Sequence, residues 1–485
     1  MSFRENEETI AAIATGMTDA GIGIVRISGK KAIAVGESVF RTKSNKKLSE
    51  QKSHTMHFGM IYDGSEMIDE ALVSLMRAPH SYTGEDTIEI NCHGGMYVIN
   101  RILQIILSHG ARLAEPGEFT KRAFLNGKID LSRAEAVMDL IHSKNEFALK
   151  NSLNQLHGSL YNTIKKLRED IIYEIAFIES ALDDPEHISL EGYPERLEGK
   201  IKDIFHQIEH LRNSFQNGRI RKEGIRTVII GKPNAGKSSL LNILSCEERA
   251  IVTQMAGTTR DVLEESVKIG DIILNLVDTA GIREASDEVE KIGISRAKKY
   301  AMDADLILYV ADSSLPLDEN DDAIISLIQE KNVIVLLNKS DLATVTGKED
   351  LLNRWNKVSG QNDTNRNENQ ISKNNLCIIN TCTKAFQEND NKWKSELVEK
   401  LHCLFFHGNI SLNDEFVITN VRHMQELTEC EKSLNLVKES IKNRMPEDFL
   451  SIDLTDAYVH LGNIIGEEIS DDLIEEIFSK FCMGK

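Results

Sequence analysis

An apolar run, Val228-Ile229-Ile230, leads directly into Gly231-Lys232-Pro233-Asn234-Ala235-Gly236-Lys237-Ser238, and Ser239-Leu240-Leu241-Asn242 follow. No other stretch leaves the backbone so little choice. The G-x-x-x-x-G-K-[ST] spacing needs a strand, a turn whose N–H groups converge, and a helix whose N-terminus faces the same point. A strand of that kind is stable inside an α/β layer. Residues 223–405 read accordingly as a doubly wound α/β domain, with further strands at 272–277, 306–310, 333–337 and 377–380. Phosphate is the ligand such a loop suits. Lys237 would reach the β- and γ-phosphates, and the Ser238 hydroxyl would ligate Mg²⁺.

Four further motifs fall where a nucleotide site needs them. Asp278-Thr279-Ala280-Gly281 closes the strand at 272–277. There a carboxylate can hold the Mg²⁺ shell and a glycine N–H can face the γ-phosphate. Asn338-Lys339-Ser340-Asp341 follows the strand at 333–337. Its N-K-x-D pattern selects guanine, because an aspartate acceptor would face no matching donors on adenine. Gly257-Thr258-Thr259-Arg260-Asp261 fits a first switch, with Thr259 offering its hydroxyl to Mg²⁺, and Thr253, Gln254, Met255 and Ala256 before it are among the expected nucleotide contacts. Thr381-Cys382-Thr383 stands where a backbone-amide base contact is usual, and Asn234, Ala235, Gly236 and Ser239 complete the expected contact set. One residue is out of pattern. The place of the water-orienting glutamine after D-x-x-G holds Ile282, which cannot orient water.

The flanks of this domain have a different texture. Residues 1–125 read as mixed α/β, with strands near 22–25 and 72–75 and a helix at 97–107. Leu153, Leu156, Leu160, Ile164, Leu167, Ile171, Ile175, Ile178 and Leu182 form one apolar stripe on a single long helix. Leu197, Ile201, Ile204, Ile208, Leu211 and Phe215 mark a second, with Pro185 and Pro194 in the connection. After 411 the chain returns to helix, with a last short one at 471–481, while 358–375 is a polar surface insertion. Helix before and helix after suggest an α/β domain inserted into a discontinuous helical domain. The expected divisions are 1–125, 126–222, 223–405 and 406–485, a multi-domain α+β and α/β architecture. No run of 18 apolar residues or signal peptide is evident, and seven cysteines without metal-ligand spacing suit free thiols in a reducing cytoplasm. A net charge of −19 argues against a broad basic nucleic-acid grip.

The termini carry a more specific signal. The blocks Gly21-Ile22-Gly23-Ile24-Val25-Arg26-Ile27-Ser28-Gly29, Ser81-Tyr82-Thr83-Gly84-Glu85-Asp86, Gly117-Glu118-Phe119-Thr120-Lys121-Arg122 and Phe481-Cys482-Met483-Gly484-Lys485 join the motifs above. Together they resemble the MnmE (TrmE) family of tRNA modification GTPases over nearly the whole chain. The resemblance implies an N-terminal folate-binding domain similar to that of one-carbon aminomethyltransferases, a helical domain and an inserted Ras-like P-loop G domain. It implies a cytoplasmic homodimer that forms a heterotetramer with the FAD-dependent MnmG protein. That complex places an aminomethyl or carboxymethylaminomethyl group on C5 of the tRNA wobble uridine, with GTP, Mg²⁺, K⁺ and 5,10-methylene- or 5-formyl-tetrahydrofolate as cofactors.

On matching positions, the resemblance gives K⁺ the oxygens of Asn234, Thr253, Met255 and Thr258, and the water network the carboxylate of Glu290. It gives folate Arg26, Glu89 (Glu85 being the alternative), Lys128 and Lys485, and the modification chemistry Cys482. On residues alone, Arg26 could be a surface ion pair, Glu89 a strand-edge charge, Glu290 part of a solvated acidic run and Cys482 a buried small residue. The competing function is a ribosome-assembly or RNA-binding GTPase switch without modification chemistry.

Overall fold

The computed structural model describes residues 8–43, 45–246, 265–270, 272–277, 301–359, 376–383, 392–406, 417–482 and 484. The chain forms two compact units. One comprises Met1–Ile141, Ser152–Glu209 and Gln425–Lys485, the other His142–Asn151 and His210–Met424.

The first unit opens with β1 (Ile10–Ile13), β2 (Ala20–Ser28), α1 (Ala32–Val39), β3 (Phe40–Thr42), β4 (Thr55–Asp63), β5 (Glu66–Met76), β6 (Thr87–Gly94), α2 (Met96–Ser108) and β7 (Arg112–Leu113). The strands make one seven-stranded sheet in the order β3-β4-β5-β6-β2-β1-β7. Period-two alternation sorts their side chains. Val25, Ile27, Ile88 and Ile90 join Ile99, Ile102 and Ile106 of α2 in the core. Arg26 and Glu89, paired across β2 and β6, alternate with them and so take the other face. The chain continues through α3 (Glu118–Leu125), α4 (Leu131–Ile141), α5 (Glu146–Leu156), α6 (Ser159–Asp183) and α7 (Tyr193–Glu223).

The stripe expected on one helix belongs to two. Gly158 separates α5 from α6 at φ 95°, a left-handed conformation that costs a side-chain-bearing residue dearly. Leu160, Ile164, Leu167, Ile171 and Ile178 are buried, whereas Leu182 is exposed. The buried Glu174 carboxylate accepts from the Tyr193 hydroxyl at 3.0 Å and from Arg196 at 3.2 Å. Pro194 lies in the first turn of α7 rather than in the connection, where its missing N–H has no intrahelical partner to lose.

The second unit holds β8 (Ile225–Ile230), α8 (Lys237–Cys246), β9 (Glu265–Ile269), β10 (Ile272–Leu276), β11 (Leu306–Asp312), α9 (Glu319–Ile328), β12 (Val333–Asn338), α10 (Lys348–Val358), β13 (Leu376–Asn380) and α11 (Lys392–Phe405). Its six-stranded sheet runs β13-β12-β11-β8-β10-β9, with only β9 antiparallel to its neighbour. Strands β11 and β12 are buried along their whole length, as parallel strands covered on both faces must be. The last helices are α12 (Val421–Lys442), α13 (Glu447–Ile465) and α14 (Asp471–Ser479), the last shorter than the sequence suggests. Residues 360–375, most of the polar insertion, lie outside the described residues.

Candidate functional site

From β8 the chain first builds β9 and β10 on one side and then crosses to β11 on the other. The C-terminal end of β8 is therefore the switch point of the sheet, where α/β proteins bind ligands. The glycine-rich loop leaves from that point. Asn234 at φ 62° and Gly236 at φ 104° bend it. Gly231 passes so close to β11 that a Cβ there would sit 2.3 Å from the Val310 carbonyl oxygen. Lys237 folds its Nζ back into the loop, donating to the carbonyls of Gly231 at 2.7 Å and Lys232 at 2.8 Å. Burial pushes this ammonium below its ordinary pKa. A bound phosphate would oppose that shift by favouring the charged form. Ser238 and Ser239 are exposed on the first turn of α8.

Asn338 ties three motifs together. Its Nδ2 donates to the Ala235 carbonyl at 2.8 Å and to Thr383 Oγ1 at 3.0 Å, and its Oδ1 accepts from the Thr383 N–H at 3.1 Å. Ser340 N–H donates to the Thr381 carbonyl at 3.1 Å. Asn338 is buried, as a side chain with its donors and acceptors filled can be. Lys339, at φ 62°, pairs its ammonium with Asp312 at the end of β11. Burial opposes ionisation of Asp312, but bonds from Lys339 and Ser314 outweigh it and hold the carboxyl below the usual range. Asp341 is exposed and Cys382 half-buried. Sequence reasoning missed Asp312, because nothing local marks it. Thr253, Gln254, Met255, Ala256, Gly257, Thr258, Thr259, Asp278, Thr279, Ala280, Gly281, Glu290 and Lys485 lie outside the described residues.

In the first unit, Arg26 Nε meets Glu89 Oε1 at 2.8 Å, and Arg26 Nη1 donates to the Gly484 carbonyl at 3.1 Å. The guanidinium lies 5.6 Å from the ring centroids of both Tyr82 and Phe119. An ion pair at Arg26 was one expectation. The pair exists, but at 15% and 23% side-chain exposure, with the C-terminal tail against it, it is not a surface feature. The tail is held elsewhere too. Gly117 N–H donates to the Cys482 carbonyl at 3.3 Å, and the Phe481 ring lies 5.0 Å from that of Phe478. Cys482 is half-buried against the cluster of Leu131, Ala134 and Phe478. Lys128 Nζ donates to the Pro79 carbonyl at 3.1 Å, on the same segment that carries Tyr82. Glu85 is engaged differently, pairing with Arg122 at 3.0 Å and accepting from the Ser28 hydroxyl at 2.9 Å.

Among the described residues, no helix is long and apolar enough to cross a membrane. A family model described as the MnmE helical domain matches residues 131–482, and one described as the GTP-binding protein TrmE N-terminus matches residues 9–128. The chain is 52% identical over 479 residues to the tRNA modification GTPase MnmE of Lachnoclostridium phytofermentans, covering 99% of each. It is 43% identical over 483 residues to the protein of that name from Clostridioides difficile, and 44% over 481 residues to that from Acetivibrio thermocellus, again at 99% of each chain. With the phosphate loop, Asn338-Lys339-Ser340-Asp341 and the terminal blocks all present in one chain, this protein belongs to the MnmE family of tRNA modification GTPases.

Proposed function

We propose that this chain hydrolyses GTP and, with a flavoprotein partner of the MnmG type, uses that reaction in adding an aminomethyl or carboxymethylaminomethyl group to C5 of the tRNA wobble uridine. The observation that carries the nucleotide half is the clasp of Asn338 on Ala235 and Thr383, which joins the phosphate loop to the guanine-reading motif. Lys237 already points into the loop and would exchange its carbonyl partners for phosphate oxygens. The left-handed turn leaves Asn234 exposed at the loop, a fit for a K⁺ ligand with Thr253, Met255 and Thr258. Bound K⁺ supplies positive charge to the transferring phosphoryl group, the part an arginine finger plays elsewhere. Ser238 and Thr259 would hold Mg²⁺, and Glu290 would orient water.

The modification half rests on the cluster of Arg26, Glu89, Tyr82 and Phe119 beside the tail. A guanidinium and a carboxylate beside two aromatic faces fit the charged and ring portions of a tetrahydrofolate, which supplies the one-carbon unit. Lys128 and Lys485 would add ammonium groups for its carboxylates, and Cys482 would bring a thiol to the uridine. We assign folate binding and homodimerisation to residues 1–125, GTP hydrolysis to 223–405, the helical scaffold to 126–222 and 406–485, and the cytoplasm as the site of action.

The test is nucleoside mass spectrometry of total tRNA from cells with and without this gene. Loss of C5-aminomethyl-type wobble uridines, restored by the wild type and not by Lys237→Ala, is the expected result. Unchanged nucleosides would leave a GTPase switch without modification chemistry. Turnover of GTP should be faster in K⁺ than in Na⁺, and equal rates would remove potassium from the mechanism.

A further inference from the structure

We propose that Lys232, Asp321 and Tyr309 form a tether that positions the phosphate loop for GTP hydrolysis, with Lys232 as a positioning residue. Lys232 is the first variable residue of the loop, and nothing in the motif assigns it a task. Its side chain turns away from the loop and donates to Asp321 Oδ2 at 2.8 Å and to Asp318 Oδ2 at 3.1 Å. Asp321 is 1% exposed. Its other oxygen, Oδ1, accepts from the Tyr309 hydroxyl at 2.6 Å, and Oδ2 also accepts from the Asp318 N–H at 2.8 Å. Burial first, and then the hydrogen bond to Asp321 and its charge, push the Tyr309 phenol above its ordinary range, so it remains a donor.

The main chain of the same residue does a second job. The Lys232 carbonyl accepts from Lys237 Nζ at 2.8 Å and from the Ala235 N–H at 3.3 Å. One residue therefore binds the phosphate lysine through its backbone and a buried carboxylate through its side chain. Asp321 is anchored on both sides. Tyr309 belongs to β11, and Asp318 and Asp321 form the capping box of α9. Asn338 holds the far shoulder of the loop through Ala235, and the tether holds the near one. A helix cap alone would need only Asp318 and Asp321. The added lysine and tyrosine fix where Asp321 can place the loop.

This inference rests on the reading of the loop as the GTP site and is independent of potassium and folate. In the full-length protein, GDP affinity, kcat and KM for GTP, and urea unfolding are measured for Lys232→Met, Lys232→Arg, Tyr309→Phe and the double variant Lys232→Met/Asp321→Asn. A misplaced loop is expected to weaken GDP binding and lower kcat/KM by about tenfold or more in Lys232→Met. Lys232→Arg restores both, since it keeps the charge. Tyr309→Phe shifts GDP affinity in the same direction by a smaller factor. The double variant regains stability, because no buried carboxylate is left unpaired, yet it stays weak toward nucleotide. Wild-type GDP binding in Lys232→Met, or affinity that recovers together with stability in the double variant, would overturn the tether. Lys237→Ala separates the two readings. If it abolishes turnover while Lys232→Met is normal, only the tether fails. If it too is normal, the nucleotide reading fails and the tether with it.

Discussion

Of the described glycines in the phosphate loop, Gly236 has the least room. It sits at φ 104°, and a Cβ there would lie 2.1 Å from Asn338 Nδ2. Gly236→Ala should therefore push Asn338 off the Ala235 carbonyl and strain the loop at once. Nucleotide binding is expected to fall about tenfold to a hundredfold, read by GDP titration calorimetry. An unchanged affinity would show that Asn338 moves without consequence. The glycine was legible from its spacing. The clasp was not, because Asn338 reaches Ala235 across 103 positions, a proximity that sheet order creates and local sequence cannot express. Cysteine chemistry makes a second residue-scale prediction. Burial first, with the charge of Asp69 adding, pushes the Cys92 thiol up to about 11, and burial pushes Cys430 higher still. A raised thiol pKa keeps the neutral form, and only the thiolate is nucleophilic, so at about pH 8 both should resist iodoacetamide. Among the described cysteines Cys403 is the exposed one and should label first. Peptide mass spectrometry reads the order, and early labelling of Cys92 would mean that its strand opens in solution.

At the scale of elements, the break at Gly158 has a measurable consequence. The nearest atom to an added Cβ is Arg133 Nη2, the far end of a side chain that can move aside. The cost of Gly158→Ala is then mainly the left-handed backbone, about 1–2 kcal/mol. Urea unfolding would read it as a lower midpoint at unchanged slope. A shift in the opposite direction would mean that α5 and α6 can join into one helix, as the stripe suggested. Periodicity hid the break because both helices carry apolar residues at helical spacing, so the pattern continues across a bend. Strand β9 was hidden for another reason. Glu265-Ser266-Val267-Lys268-Ile269 is a short edge strand that buries only Val267 and Ile269. The fully buried β11 and β12 were legible, since continuous apolar runs between turns have few other uses.

For the molecule as a whole, the two candidate sites fall in separate units. The described residues of the phosphate loop, Asn338, Thr383 and the tether all fall within His210–Met424. Arg26, Glu89, Cys482 and Gly484 all fall in the other unit. That unit is assembled from three stretches of chain, so Arg26 meets a carbonyl 458 positions away. The family blocks at both termini made each half of this site recognisable, but only the fold shows that they touch. The bonds from Gly117 to the Cys482 carbonyl and from Arg26 to the Gly484 carbonyl both join residues of one unit. Removing residues 482–485 should therefore leave GTP turnover of the isolated protein within roughly twofold, as for substitutions in networks that share no partner. It should abolish the wobble-uridine product, because Cys482 and the carbonyl on Arg26 are lost together. Paired assays of phosphate release and tRNA nucleosides on one preparation decide the matter. If turnover collapses alongside modification, the tail acts on the G domain through a route that links the units during the reaction cycle. If modification survives, the chemistry does not run through the tail, and the proposed role of Cys482 falls.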